Sequence, residues 1–146
     1  MTLAVHVLTW IAFDRRGTDD EVGTSQRIAS SVNTNPVVIR RCLGELREAG
    51  LVEASRSRGW ALSGDASEIT LHDVYLAVGG DVFAMHASAP DHECHVGAGI
   101  QAVLTLAYEH ATTALCASLA RTSIADVLRD TLAEAKTGSS FELQRA

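Results

Sequence analysis

The sequence predicts a mainly α fold that carries one small β-hairpin. Apolar residues recur at the spacing of an amphipathic helix in several separate stretches. Two short strand candidates flank a single turn rich in serine, arginine and glycine. The chain has 146 residues, 47% of them hydrophobic. It is therefore long enough to bury one core and too apolar to be disordered.

Two helices are predicted at the start of the chain. Leu3, Val7 and Ile11 share one helical face, which predicts a core helix over residues 2–13. The polar stretch 14–23 predicts a loop. Thr24 suits the N-cap of a second helix that runs to about residue 32.

A third helix follows after a three-residue turn. Asn35 suits its N-cap, Pro36 its first turn, and Gly50 its left-handed end. Arg40 and Arg41 lie off its apolar stripe, near the N-terminus of the exposed face. Two such helices joined by a short turn suit a DNA major groove. The stripe consists of Ile39, Cys42, Leu43 and Leu46.

The strand candidates at 51–52 and 60–62 flank the turn 55–59, which has the sequence SRSRG. Arg56 and Arg58 lie on this tip, where they can straddle a DNA backbone or enter a minor groove. Together with the helices, the hairpin predicts a winged helix-turn-helix DNA-binding domain over residues 1–80.

The second half of the chain is predicted to contain a long helix. Thr70 suits the cap of a helix that Gly79 ends, and residues 81–96 form an irregular loop, a possible sensor segment. From residue 97 a helix runs to about residue 120, with an apolar seam too long to be left in water. We expect it to cross its twin in a dimer; the alternative is that it packs only on its own winged domain. The seam comprises Ile100, Val103, Leu104, Ala107, Ala111, Ala114, Leu115 and Ser118.

A short last helix is expected within the same C-terminal unit, residues 97–146. Ser123 and Asp126 resemble a capping box that opens this helix. Residues from 138 onward predict a loose tail. The whole chain thus predicts a winged domain, a loop, and a long dimerisation helix followed by a short C-terminal helix.

The charge distribution permits DNA binding although the net charge is −6. Residues 67–146 hold four basic against ten acidic residues and account for the whole excess. Residues 24–60 hold six Arg against three Glu, a local charge of +3. Phosphate attraction depends on the local field, since exposed charges farther than ~8–10 Å are screened. The alternative is a solvated helix face with ordinary salt bridges.

Four strings of the chain together are typical of one protein family. They are SVNTNPVVIRRCLGELREAGLV at 31–52, EITLHDVYLAV at 68–78, ECHVGAGIQAVL at 93–104 and TSIADVL at 122–128. They resemble the Rrf2 family of bacterial winged-helix transcription regulators, which includes IscR, NsrR and CymR. The strings NTNPVVIRR and CHVG with IQ look most similar to the cluster-free YwnA-like branch. The resemblance implies a homodimer that binds a roughly palindromic operator, usually as a repressor.

The chain departs from this family in two places. The family's wing often carries a glycine-rich tip, which is shortened here to the sequence SRSRG. Cluster-binding members place three cysteines before the long helix, whereas this region holds only Cys94. An iron–sulfur cluster needs several converging thiolates, so we expect no cluster and no other cofactor.

The candidate DNA contacts fall at two helix starts and on the hairpin. Helix N-termini suit phosphates, the valines can meet a thymine methyl, and an arginine can donate bidentately to guanine. Which of the two helix arginines contacts a base, and whether the valines are instead ordinary hydrophobic surface or core, stays open. The candidates are Thr24, Ser25, Thr34, Asn35, Val37, Val38, Arg40, Arg41, Arg56 and Arg58.

The regulatory signal has one preferred hypothesis. Cys94 precedes the start of the long helix, where the helix N-terminus favours the thiolate, so Cys94 is the candidate for a redox sensor. His86, His92 and His95 lie nearby and leave a metal-responsive regulator as an alternative, although their spacing is no metal signature. An ordinary, partly buried cysteine is the remaining interpretation.

Other function classes are less favoured. No nucleophile elbow, phosphate loop or metalloprotease motif is present, so we expect no enzyme. A winged domain that binds a protein instead of DNA stays open because of the acidic balance and the short wing. No apolar run approaches the ~18 residues of a membrane span, and no signal peptide is recognisable. Three widely spaced cysteines favour a reducing cytoplasm.

Overall fold

The computed structural model describes residues 1–14, 23–55, 59–85, 87–91 and 93–143. These residues form helices and one antiparallel pair of strands, which confirms the predicted mainly α fold with a small hairpin. In chain order the elements are α1 Thr2–Asp14, α2 Ser25–Val32, α3 Pro36–Glu48, β1 Val52–Ser55, β2 Gly59–Leu62, α4 Leu71–Val78, α5 His95–Leu119 and α6 Ile124–Leu143.

The core lies where α1 crosses α2, α3 and α4 and where α6 returns to α1. Leu8, Ile28 and Leu43 are fully buried there. Burying one such side chain contributes about 1.5–3 kcal/mol. The predicted apolar stripe of the third helix is entirely buried, so the opposite face of α3 is left outside.

The turn between α2 and α3 is held by local hydrogen bonds. Asn33 adopts a left-handed conformation with φ 53°, and its N–H donates to the carbonyls of Ala29 and Ser30. The Asn35 side-chain oxygen accepts a hydrogen bond from the Val37 N–H at 2.8 Å, which confirms Asn35 as N-cap. The angle between the two helices is therefore fixed by backbone bonds rather than by a flexible linker.

The hairpin follows directly from the end of α3. Gly50 has φ 75°, the left-handed conformation that lets the chain reverse after the helix. Val52 pairs with Leu62 and both are buried, which anchors the hairpin on the core. Each strand has four residues, longer than predicted, because the ladder continues outward to the pair Ser55 and Gly59. Of the predicted tip 55–59, residues 56–58 lie outside the described residues.

Two capping boxes lie side by side at the starts of α4 and α6. Thr70 and Asp73 exchange hydrogen bonds at the first, and Ser123 and Asp126 exchange them at the second. Thr70 and Ser123 also form an antiparallel bridge. Both caps were predicted and both are confirmed. They tie the end of the long helix to the start of α4.

The two C-terminal helices differ from the prediction in length. Helix α5 begins at His95, two residues earlier than expected. Helix α6 is not short and is not followed by a loose tail at 138, because the helix continues to Leu143. Gly138 alone costs a helix only about 1 kcal/mol, which the alanine- and glutamate-rich turns before it offset. The division of the chain at residues 80 and 96 stays a prediction.

Within the described part of the chain, none of the helices combines the length and the apolar character that crossing a bilayer requires.

Candidate nucleic-acid interface

The outward face of α3 carries the predicted contact residues. At 100° per residue, the side opposite the buried stripe is centred on Val37, Arg41 and Gly44. Val37 and Val38 are 60% and 44% exposed, so the alternative that they belong to the core is wrong. Two apolar side chains held in water beside two arginines form a surface that suits base edges, where a thymine methyl offers an apolar contact.

The two arginines of this face have different surroundings. Arg41 Nε donates to Glu45 Oε1 at 3.2 Å, and the Arg41 side chain is 84% exposed. Such a surface pair one turn apart contributes only about 0.3–0.5 kcal/mol, so it yields readily to a DNA contact. Arg40 lies on the flank of the same face and is exposed, with no carboxylate in ion-pair range among the described residues. The geometry thus gives Arg41 the central position and Arg40 the edge.

The starts of α2 and α3 each carry a polar cap. Thr24 Oγ1 accepts a hydrogen bond from the Arg27 N–H at 3.3 Å, and Asn35 caps α3 in the same way. The amide nitrogen of Asn35 takes no part in that bond and can donate to a phosphate or a base. Ser25 and Thr34 are half-buried and therefore less accessible than the two caps.

Arg27 is one of the six arginines of the positive stretch 24–60, but its side chain makes contacts within the domain. Its guanidinium donates to Asp14 at 3.2 Å and lies 5.3 Å from the centre of the Trp10 ring. These contacts hold α2 on α1 and compensate the charge. The local charge of +3 therefore overstates the positive field at α3, because one of its six arginines is paired inside the domain.

Gly44 is a residue that the sequence analysis did not single out. It lies in the middle of α3 on the outward face, and a side chain added there would meet no atom within 4 Å. A glycine inside a helix costs about 1 kcal/mol relative to alanine. No neighbouring atom in the described chain makes a glycine necessary at this position. The absence of a side chain at Gly44 therefore suits the close approach of a partner. Its signal in the sequence is a lone glycine off the apolar stripe.

The described part of the β1–β2 ladder ends at the pair Ser55 and Gly59. Arg56 and Arg58, the predicted wing contacts, lie outside the described residues. Their role therefore stays a prediction.

The three cysteines lie in different environments. Cys42 is buried against the core, which raises the pKa of its thiol. Cys94 is exposed at the N-cap of α5. Its sulfur forms no capping hydrogen bond, but the backbone N–H groups of Gly97 and Val96 near it hold the pKa of the thiol below its usual value. Cys116 is half-buried near the far end of the helix.

These thiols do not form the donor set of an iron–sulfur cluster. At about 1.5 Å per helical residue, Cys116 lies roughly 33 Å along α5 from Cys94. Cys42 lies within the core of the winged domain. A cluster needs several thiolates at one place, so the residues present do not fit one. His86 and His92 of the metal alternative lie outside the described residues, and the remaining residues include no group of three metal-ligating side chains.

A helix-turn-helix with a hairpin at its side, whose second helix exposes two arginines, defines a winged helix-turn-helix protein. A family model described as Rrf2, iron-dependent transcriptional regulator, matches residues 1–130. The chain belongs to the Rrf2 family, as its motifs indicated.

Individual relatives agree with this assignment. YwnA of Bacillus subtilis (strain 168), provisionally described as an HTH-type transcriptional regulator, is 36% identical over 131 residues, which cover 88% of this chain and 93% of YwnA. A crystal structure provisionally described as that of a DNA-binding protein is 34% identical with a TM-score of 0.69 and covers 87% of this chain and 97% of that one. The identity to YwnA supports the likeness to the YwnA branch.

More distant structures share the fold. IscR of T. potens is 17% identical with a TM-score of 0.65, covering 89% of this chain and 83% of that one. CymR, the global cysteine regulator of B. subtilis, is 17% identical with a TM-score of 0.56, covering 88% of this chain and 94% of that one. The regulators named in these comparisons are consistent with a protein that is not an enzyme.

Proposed function

We propose that this protein is a homodimeric, sequence-specific DNA-binding regulator of transcription that represses from a roughly palindromic operator in the cytoplasm. The observation that carries the proposal is the outward face of α3. This face holds exposed valines, two exposed arginines and a glycine opposite a fully buried stripe. A helix of this composition presents both apolar and guanidinium contacts to a major groove.

Helix α5 supports the dimer. It has 25 residues, and none of them is buried. Val96 and Val103 are 70% and 65% exposed, and the predicted seam is rich in alanine. Removing apolar area from water stabilises an assembly by about 25 cal/mol per Å². A two-fold pair of α5 helices would bury this seam and present two α3 helices to half-sites about 34 Å apart.

The proposed contacts divide into two kinds. Val37 and Arg41 occupy the centre of the face and contact bases, a thymine methyl and a guanine edge respectively. Thr24, Asn35 and Arg40 contact phosphates, together with the α2 residue Ser25 and the turn residue Thr34. Val38 flanks the face and contacts a thymine methyl. The wing arginines Arg56 and Arg58 contact the neighbouring minor groove.

The test is a selection from random duplexes followed by titration of the selected operator. Arg41→Ala is expected to weaken binding by about 1–3 kcal/mol and to relax the preference at one base position. Arg40→Ala is expected to weaken binding to all sequences similarly. Arg121→Ala, an exposed arginine after α5, is the matched control. Unchanged affinity in both α3 variants, or binding that does not weaken with added salt, would favour a protein-docking module instead.

We further propose that Cys94 makes the regulator responsive to peroxide. The observations in favour are its exposure and the lowered pKa of its thiol. The Cys94 thiolate attacks hydrogen peroxide, the O–O bond breaks, and a sulfenic acid and hydroxide form. Mass spectrometry after mild peroxide is expected to find Cys94 modified and operator affinity changed, and Cys94→Ser is expected to abolish both. Cys116→Ser is the control. An unmodified Cys94 with unchanged operator binding overturns this part of the proposal.

A further inference from the structure

A cavity of about 740 Å³, widely open to solvent, lies between α4, the connector (residues 79–85) and α5. Small-molecule sites in proteins commonly measure about 300–1,000 Å³. Its lining includes His72 of α4 and Phe83 and Met85 of the connector. Helix α5 contributes residues Thr105, Tyr108, Glu109, Thr112 and Cys116 to the lining. The DNA-binding surface described above uses none of these residues.

The cavity is lined chiefly by apolar and aromatic groups. The rings of Phe83 and Tyr108 stack with centroids 4.8 Å apart and an angle of 11° between their planes. Met85 adds a thioether, which is adaptable and packs well on aromatic rings. A stacked pair beside a flexible thioether forms a wall that suits a flat ring system.

The electrostatic character of the cavity is acidic. Glu109 contributes a carboxylate, and no lysine or arginine occurs among the described residues that line it. Residues 67–146, from which the whole lining comes, hold ten acidic against four basic residues. Aromatic faces and a carboxylate both attract cations. An anionic ligand would find no guanidinium or ammonium group among the described residues of this lining.

The cavity lies on the side of α5 away from the proposed dimer seam. At 100° per residue, the lining positions and the seam positions are centred roughly half a turn apart. The seam residues Val103, Ala107 and Ala114 do not line the cavity. A second copy seated on the seam therefore leaves the cavity accessible to a small molecule.

We propose that this cavity binds a flat aromatic cation and that the bound cation releases the regulator from DNA. Helix α4 contacts both α3 and α5. Its first turn is bonded to the junction of α5 and α6, where Leu71 N–H donates to the Thr122 carbonyl at 2.9 Å. A ring system between α4 and α5 changes their separation, and α4 transmits the change to α3. The binding step stands by itself, whereas the release from DNA rests on the proposed function.

The probe is rhodamine 6G, and fluorescein is its matched control because it has the same xanthene core with the opposite charge. Fluorescence anisotropy without DNA is expected to show saturable, micromolar binding of rhodamine 6G and no binding of fluorescein. Glu109→Gln is expected to weaken binding about fivefold. Thr112→Trp fills the cavity and is expected to abolish dye binding while leaving the protein dimeric. In that variant the dye no longer changes the operator affinity.

Several results would overturn the proposal. They are absence of rhodamine 6G binding at about 100 µM, equal binding of fluorescein, and undiminished dye binding by Thr112→Trp. Conversion of Thr112→Trp to a monomer would assign this face to the subunit contact instead. Because dye binding is measured without DNA, its failure is distinguishable from failure of operator binding, which is titrated separately.

Discussion

The winged domain and the long helix differ in how far their apolar residues are buried. In the winged domain, α1 is only 13 residues long and buries six residues, and the stripe of α3 is fully enclosed. Helix α5 is 25 residues long and buries none. The winged domain therefore buries its apolar residues within its own chain, whereas the long helix carries apolar surface that its own chain leaves exposed.

Position in the chain does not explain this difference. Helix α6 follows α5 directly and yet returns to the core, where Ile124 and Leu128 are buried beside α1. The paired caps at Thr70 and Ser123 fix this return. Of the two C-terminal helices, α5 alone projects from the core, which is the arrangement expected of a helix that joins two copies.

The largest expected effect comes from charging the seam of α5. Val103→Glu places a carboxylate where the twin helix would pack, so we expect a monomer with an intact helical signal. Operator affinity is expected to fall by at least about 100-fold, since the two half-sites are no longer bound together. Sedimentation and an operator titration measure the two effects.

Gln101→Glu is the matched control, because it adds the same charge on α5 away from the seam. A dimeric Val103→Glu, or equal effects of both variants, would show that the seam is not the contact.

A smaller effect is expected on the free energy of unfolding when leucine is replaced by alanine in each of the two regions. Leu43→Ala removes a fully buried side chain and is expected to lower the free energy of unfolding by about 2–5 kcal/mol. Leu106→Ala removes a side chain that is 59% exposed and lies beside the seam, and we expect a change within about 0.5 kcal/mol. Urea unfolding measures both. Similar losses would contradict the contrast between the regions.

Gly44→Ala is expected to raise the stability of the protein and to lower its affinity for the operator. Alanine favours the helix by about 1 kcal/mol and meets no atom of the chain, so the variant unfolds at higher urea. The same methyl group faces the DNA and is expected to reduce operator affinity about tenfold. Gly99→Ala on α5, also without neighbours, is the control that gains stability alone. Unchanged affinity in Gly44→Ala would remove Gly44 from the interface.

The smallest effect concerns acid stability at the paired caps. Hydrogen bonds from Ser123, and then Arg129, lower the pKa of Asp126 to about 2 from its ordinary value of 3.8. A lowered pKa in the folded state stabilises the protein above pH 3.8, and this contribution is lost as the pH falls through about 2. Asp126→Asn is therefore expected to unfold more easily at neutral pH and to show a shallower loss of stability between those two pH values.

Thermal unfolding across that pH range measures the acid effect, with Asp130→Asn on the same helix as the control. Parallel curves for the wild type and Asp126→Asn would contradict the assignment.

Local sequence predicted the elements because their signals are local. The caps Asn35, Thr70 and Ser123 and the left-handed Gly50 each act through bonds within a few residues, so their patterns were sufficient. The length of α6 was predicted wrongly because Gly138 was taken as the end of the helix, although good helix formers precede it.

The site was predictable only in part. The exposed face of α3 follows from periodicity, but the pairing of Arg41 with Glu45 and the contact of Arg27 with Trp10 depend on rotamers and on tertiary packing. The cavity brings His72 together with residues of α5 that are distant in sequence, and no spacing pattern encodes such a contact.

The central claim is that two copies of this chain act together on one duplex through α3. Native mass spectrometry of the protein with its selected operator tests it most directly. The account predicts one complex that contains two chains per duplex and dissociates as salt is added. A complex with a single chain, or no complex at concentrations that saturate the operator titration, would contradict it.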